Sequence, residues 1–300
     1  MGRLFEAARQ NESKASKVDL PLDELRRIGV GLTASLDGCD AILSRALGDY
    51  PDDDGFIVHH SLNVAILSLR VGQEMGFADS DLMRLSLAAL LHDIGAVRLP
   101  GHILSKPVGL SEDEWQEMRK RPYYSREMIA ALGPGYETLA EIAYQVHERA
   151  DGSGYPEGLK EDAMAPAAQI IGAADFYEAC IHDRPYRTAT DGFRALLAKK
   201  AQFSAGVVKA VVDALGFFPV GSFVELCNGE VGRVLEVRRA NPSRPLIEVL
   251  LDGHKKKMKK PRRVDLVKQW QTYVGRPLSI EHLKELGPDC KLIAKSTESF

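Results

Sequence analysis

The chain has 300 residues, of which 45% are hydrophobic and 27% charged, and its formal net charge is −3. This length allows about two domains with an ample core, the composition is ordinary for a globular chain, and the charge excludes a global basic field for nucleic acid. Cys39, Cys180, Cys227 and Cys290 are scattered with no C-x-x-C, which argues against a disulfide framework or a zinc ribbon and suits a reducing compartment. The opening "MGRLFEAARQNESK" has no apolar core, and no run approaches the length of a membrane span. Gly2 lacks a Ser or Thr at position 6, so myristoylation is not indicated. These features read as a soluble, cytoplasmic protein.

In chain order, residues 1–50 read as short helices broken by Gly31, Gly38 and "YPDDDG", a lead-in that packs on the main domain. From Phe56 to Phe217 the pattern is helical throughout. His60, Val64, Leu67 and Val71 recur at helical spacing on one face, so His60 points where the apolar residues point. His59 lies about 100° round the helix and does not. A second helix runs from Ser80 through "RLSLAALLHD" and ends near Gly95. A third starts at Ser111, where Glu114 completes a capping box and Leu110 faces Trp115 as a staple. Helices near 137–148 and 167–182 follow, separated by the turn-rich "RADGSGYPEGL". After "FFPVG" the period changes to alternation around Asn228-Gly229, then "RPLIEVLLDG", then a final amphipathic helical stretch. The expected division is a helical lead-in over 1–50, a helical domain over 51–216 and a β-rich module over 217–300. The basic run "KKKMKKPRR", Lys255 to Arg263, reads as a solvated hairpin tip, with contact to an anionic membrane or nucleic acid as the lesser alternative.

The chemistry gathers in "LLHDIGAVRLP". A buried charge is costly unless paired or bound to metal, yet His92 and Asp93 close an apolar helix. Neighbours on a regular helix diverge, so the two converge on one ion only where the helix ends, and Gly95 supplies that ending. Asp175 in "IIGAADFYEA" shares its face with Ile171 and Ala179. With His60 this makes two His and two Asp on apolar helix faces. Such nitrogen and oxygen ligands suit Fe, Mn, Zn or Mg without singling one out. Asp151 in "ADGSG" reads as a turn cap, and His102, His182, His254 and His282 carry no partner pattern.

The order H…HD…D resembles the HD superfamily of metal-dependent phosphohydrolases. "HDIG", "LPGHILSKPVGLSEDE", "HERADGSGYPEGL", "AADFYEA" and "DRPYR" narrow the resemblance to HD-GYP proteins, over roughly residues 56 to 190. "FPVGSFVELCNGEVGRVLEV" is similar to the β-rich tail of some members. The resemblance implies a mainly α fold, an HD-type helical bundle domain followed by a small β-rich C-terminal module. It also implies hydrolysis of cyclic di-GMP with two or three metal ions. It assigns His60, His92, Asp93 and Asp175 to one metal, with Asp93 the candidate catalytic residue, and positions 121, 146 and 147 mostly to a second. Gly154, Tyr155 and Pro156 fall on the substrate side, and Arg184 and Arg187 match residues that meet nucleotide phosphates.

Four positions depart from the family pattern. Ala96 replaces a Lys, Arg121 and Val146 replace His, and Phe56 replaces a Glu. The retained set is His60, His92, Asp93, His147 and Asp175, so one metal site is complete and its neighbour has lost two imidazoles. The expectation is about one divalent ion per chain, with Arg121 offering a guanidinium to substrate phosphate. The function expected is a weakened cyclic di-GMP phosphodiesterase. The alternatives are a silent member that binds cyclic di-GMP or a signalling partner such as a diguanylate cyclase, and an HD phosphohydrolase acting on a nucleoside phosphate.

Overall fold

A computed structural model describes residues 21–35, 56–104, 106, 109–182, 192–238, 240–278 and 280–289, with isolated positions in the first fifty. It divides into two compact units. The first comprises Met1–Gly38 and Tyr50–Ala210, the second Cys39–Asp49 and Val211–Phe300. The fold is mainly α, with the sheet confined to the second unit.

In the first unit, α1 spans Leu22–Ala34 and packs on α3 through Leu25 and Gly29. Gly31, expected to break this helix, lies inside it. One exposed glycine costs a helix about 1 kcal/mol, less than burial of a leucine returns. The central helix α2, Phe56–Glu74, is buried on most of its circumference from His60 onward. Val64, Leu67 and Val71 are fully buried and His60 is 3% exposed, whereas His59 is half-buried. Helix α3, Asp79–Leu91, packs against α2. Its end is what the chemistry needs. His92 keeps helical angles, Asp93 leaves them (φ −108°, ψ 16°), and a 3-10 turn follows over Ile94–Arg98.

Helix α4, Glu112–Met118, begins with the expected capping box between Ser111 and Glu114. Helix α5, Arg121–Ala130, packs on the 3-10 turn, and α6, Glu137–Gln145, packs on α5. A Cβ on Gly95 would stand 2.4 Å from Ser125 N and 2.5 Å from Arg121 O. The absent side chain therefore lets the first turn of α5 close against the segment that carries Asp93, and Gly95 N donates to Ser125 Oγ at 2.9 Å. Helix α7, Pro166–Ile181, packs on α2 and α6. Helix α8, Gly192–Ala198, packs on α7, and α9 spans Ala205–Leu215.

The second unit holds an antiparallel sheet of β1 (Phe223–Leu226), β2 (Val231–Glu236), β3 (Leu246–Leu251), β4 (Lys257–Asp265) and β5 (Val274–Leu278), in the order β4-β3-β2-β1-β5. The β1–β2 connection turns through Asn228-Gly229, as alternation predicts. Val224, Leu226, Val234, Ile247, Val249 and Val264 pack in one cluster, Phe223, Val231, Leu251 and Leu278 in another. A register shift between Val249 and Leu251 moves Leu251 to the opposite cluster. A short helix α10, Ile280–Glu285, follows. The basic run is a correction to the expected hairpin tip. It forms most of β4, an edge strand on which Lys257, Lys259, Lys260, Arg262 and Arg263 are exposed. Charged side chains on an edge keep it from pairing with other chains.

Candidate metal centre

Three helix ends and one helix interior meet in the first unit. His60 comes from α2, His92 and Asp93 from the end of α3, His147 from the turn after α6, Asp175 from the middle of α7. His60, His92 and Asp93 are buried and each offers a ligand atom, all within 4.8 Å of one another. Asp93 Oδ2 lies 3.8 Å from His60 Nε2 and 3.8 Å from His92 Nε2, and Asp175 Oδ1 lies 3.3 Å from His60 Nε2. Separations of this size fit ligands about 2.0–2.2 Å from a shared ion.

The donor chemistry fits a metal on a second count. His92 Nδ1 donates to Ala89 O at 2.7 Å, which leaves Nε2 as the lone-pair nitrogen, and that buried atom has no hydrogen-bond partner. His60 Nδ1 is held by Glu178 Oε2 at 2.7 Å, so its Nε2 also turns its lone pair to the site. A carboxylate behind a ligating imidazole sets its tautomer and raises its basicity. Glu178 is itself fully buried and meets His182 Nδ1 at 3.3 Å and Asn63 Nδ2 at 3.4 Å. Burial opposes its charge, but His60 and His182 hold its carboxyl well below the usual range.

Electrostatics mark the same place. Burial works against the charge on Asp93, yet Arg121, His92 and His147 hold its carboxyl well below the usual carboxylate range. Asp175 is likewise held low against burial by His60 and His147. Burial lowers His92, and burial together with Arg121 pushes His147 down to about 4. Both imidazoles are therefore neutral near pH 7, the form that binds metal.

Arg121 reaches into the centre. Its Nη1 donates to Asp93 Oδ2 at 2.7 Å and its Nη2 to His147 Nε2 at 3.0 Å, with the side chain 18% exposed. Tyr155 stacks on His147 with ring centroids 5.3 Å apart and planes 16° apart, and its half-buried phenol lies beside Arg121. The loop carrying Tyr155 is tied down by Glu148, whose carboxylate accepts from Glu157 N at 2.6 Å and Leu159 N at 3.0 Å. A Cβ on Gly154 would stand 2.3 Å from Arg149 N, so the loop closes on the backbone after His147 only because that side chain is absent. Pro156, after a cis peptide bond, is exposed.

The structure thus brings together His60, His92, Asp93, His147, Asp175, Arg121 and Tyr155, with Gly154 and Pro156 in the adjoining loop. Arg184 and Arg187 lie outside the described residues. Asp151 caps its turn, accepting from Ser153 N at 2.9 Å. Phe56, at the substituted Glu position, stacks on His60 at 6.0 Å. Val146 and Ala96 are buried. Sequence reasoning missed Glu178, Glu148 and His182. Glu178 stands three residues beyond Asp175 on α7 and His182 caps the end of that helix, and a helical-face reading extended from Asp175 finds them.

A family model described as an HD domain matches residues 47–202, and one described as a KOW domain associated with HD domain matches residues 223–286. The chain is similar to the cyclic di-GMP phosphodiesterase PA4108 of Pseudomonas aeruginosa, 30% identical over 253 residues, covering 82% of this chain and 61% of that protein. It is also similar to the cyclic di-GMP phosphodiesterase PdeB of Borreliella burgdorferi, 31% identical over 200 residues, covering 65% of this chain and 52% of that protein. The chain thus spans little more than half of these curated relatives. Among solved structures, Bd1817, a HDG"Y"P protein from Bdellovibrio bacteriovorus, shares the fold with a TM-score of 0.57 at 20% identity, covering 71% of this chain and 69% of that one. The chain belongs to the HD-domain family, in its HD-GYP branch, and carries a KOW-type module after the helical domain.

Proposed function

We propose that this chain is a metal-dependent phosphodiesterase acting on cyclic di-GMP or its linear product, with turnover limited by a reduced ligand set. The observation that carries this reading is the convergence of His60, His92 and Asp93, with His92 Nε2 buried and unpartnered. The names of the curated relatives support the substrate class. His60, His92, Asp93 and Asp175 would hold one divalent ion, which supplies polarisation of a phosphoryl oxygen and a lowered pKa for water. Glu178 orients His60, and Ala89 O fixes the tautomer of His92. Tyr155 offers one ring edge and face beside the centre for a base, the other face being taken by His147. Arg184 and Arg187 are assigned to the phosphates by resemblance. A cytoplasmic setting suits this reading, since the four cysteines are scattered through the sequence with no C-x-x-C.

A chromatographic time course of cyclic di-GMP with metal-loaded protein tests the proposal. Slow conversion that stops in Asp93→Ala is the expected result. Removing Asp93 leaves Arg121 buried without its anion, so this variant is also destabilised, by about 3–5 kcal/mol. No conversion by well-folded, metal-loaded protein overturns the hydrolase reading. One observation favours a second reading, a silent member that binds cyclic di-GMP or a signalling protein: Arg121 already engages both Asp93 and His147. Binding of cyclic di-GMP without conversion selects it.

A further inference from the structure

We infer that Arg121 is the centre's second cation, a guanidinium built into the protein where a second metal ion would otherwise sit, so that the site loads a single divalent ion. The inference deepens the proposed function and rests on its metal-site reading. It starts from a pair of acceptors. His147 Nε2 and Asp93 Oδ1 face each other at 3.3 Å. A guanidinium only donates, so its 3.0 Å contact makes His147 Nε2 an acceptor, leaving the hydrogen on Nδ1, 3.6 Å from Asp175 Oδ2. Two acceptors at that separation need a cation between or beside them, and Arg121 is the cation present. It donates through Nη2 to one residue and through Nη1 to the other.

Asp93 joins the two halves of the centre. Its Oδ2 accepts from Arg121 at 2.7 Å and lies 3.8 Å from the lone-pair nitrogens of both His60 and His92. One carboxylate therefore serves the metal ligands on one side and the guanidinium on the other, as a bridging carboxylate serves two ions. The placement of Arg121 is enforced by the fold, because α5 closes on Gly95 at its first turn. Two of the five guanidinium N–H groups are thereby spent on Asp93 and His147, so the guanidinium contributes its fixed charge to the centre itself.

The test is metal loading, which requires no substrate. Chelator-treated wild type, Arg121→Lys, Arg121→Gln and Arg121→His are titrated with Mn2+ alone, counted by elemental analysis and examined by electron paramagnetic resonance. Wild type and Arg121→Lys are expected to hold one ion with an isolated-ion spectrum. Arg121→Gln should bind the first ion about tenfold more tightly, because a positive neighbour is removed. Arg121→His should hold two ions with the spectrum of an exchange-coupled pair. Two ions in wild type overturn the inference, as does a single ion of unchanged affinity in both Arg121→Gln and Arg121→His. Thermal unfolding with and without Mn2+ identifies any variant whose count reflects misfolding, and Arg121→Lys then carries the comparison. Should the counts come out as expected while cyclic di-GMP is left intact, the hydrolase reading fails alone.

Discussion

His60 illustrates how much of the centre depends on a residue that never reaches it. Its Nδ1 is spent on Glu178 at 2.7 Å, and this contact turns Nε2 toward Asp93 and Asp175. Glu178 is therefore a positioning residue. Replacing Glu178 with Ala should weaken metal binding 10–100-fold, the usual cost of losing such an outer partner. Glu178→Gln keeps an oxygen for Nδ1 and should lose less. A metal titration by calorimetry separates the two, and equal, undiminished affinity in both variants would show that His60 is held by packing alone. The ranking matters, because a purely structural role for Glu178 predicts that the isosteric Gln and the truncating Ala change stability without changing ion affinity in that order.

Among the elements, the end of α3 and the start of α5 decide the site. Helix α3 stops at Leu91, Asp93 swings out of helical angles, and α5 lies close enough for Arg121 O to approach Gly95. A methyl group at position 95 has no room, with Ser125 N and Arg121 O both within 2.5 Å of where it would stand. Gly95→Ala should therefore push α5 away, cost about 1–3 kcal/mol as overpacking does, and strain the hydrogen bond from Gly95 N to Ser125 Oγ. Urea unfolding measures the cost. Because Arg121 rides on α5, the same substitution should also loosen its grip on Asp93 and raise the Mn2+ count toward that of Arg121→His. An unchanged midpoint would mean that the two segments separate without cost.

At the scale of the whole molecule, the chain divides into two compact units. The candidate metal ligands all come from residues 60 to 175, within the helical unit. The sheet has its own clusters around Ile247 and Val249, both fully buried. Ile247→Ala should destabilise the β unit by about 2–5 kcal/mol, the range for truncating a buried isoleucine, and leave the ion count of the helical unit as it was. Differential scanning calorimetry combined with elemental analysis reads both. Loss of the ion on this substitution would show that the centre draws on the sheet for its stability. The Lys and Arg side chains of the basic run have partners in part, Arg262 of β4 with Glu230 at 2.6 Å and Lys255 of the preceding turn with Glu225, so the run is less of a free positive field than its spelling suggests. Among the described residues no helix is long and apolar enough to cross a membrane.

The sequence by itself determined the helical period up to Phe217, the change to alternation after it, and the candidate ligand set His60, His92, Asp93 and Asp175. Those features are local: apolar spacing names the buried face, and a charged or ligating side chain on that face demands a partner. It also identified the HD-GYP resemblance, because several short motifs recur in order. Only the tertiary structure set Arg121 against Asp93 and His147. From its spelling it read as a guanidinium offered to substrate phosphate, and its engagement with those two residues depends on α5 closing against Gly95, a contact between segments about thirty residues apart. Glu178 and His182 were silent for the same reason, since a buried carboxylate declares its role only when the imidazole it holds comes from another helix. Likewise Gly31 looked like a breaker until packing of Leu25 and Gly29 against α3 outweighed its local cost, and the basic run looked like a tip until pairing with β3 made it an edge strand. Local pattern carries what one face of one element must bury; which groups meet across elements is settled by packing.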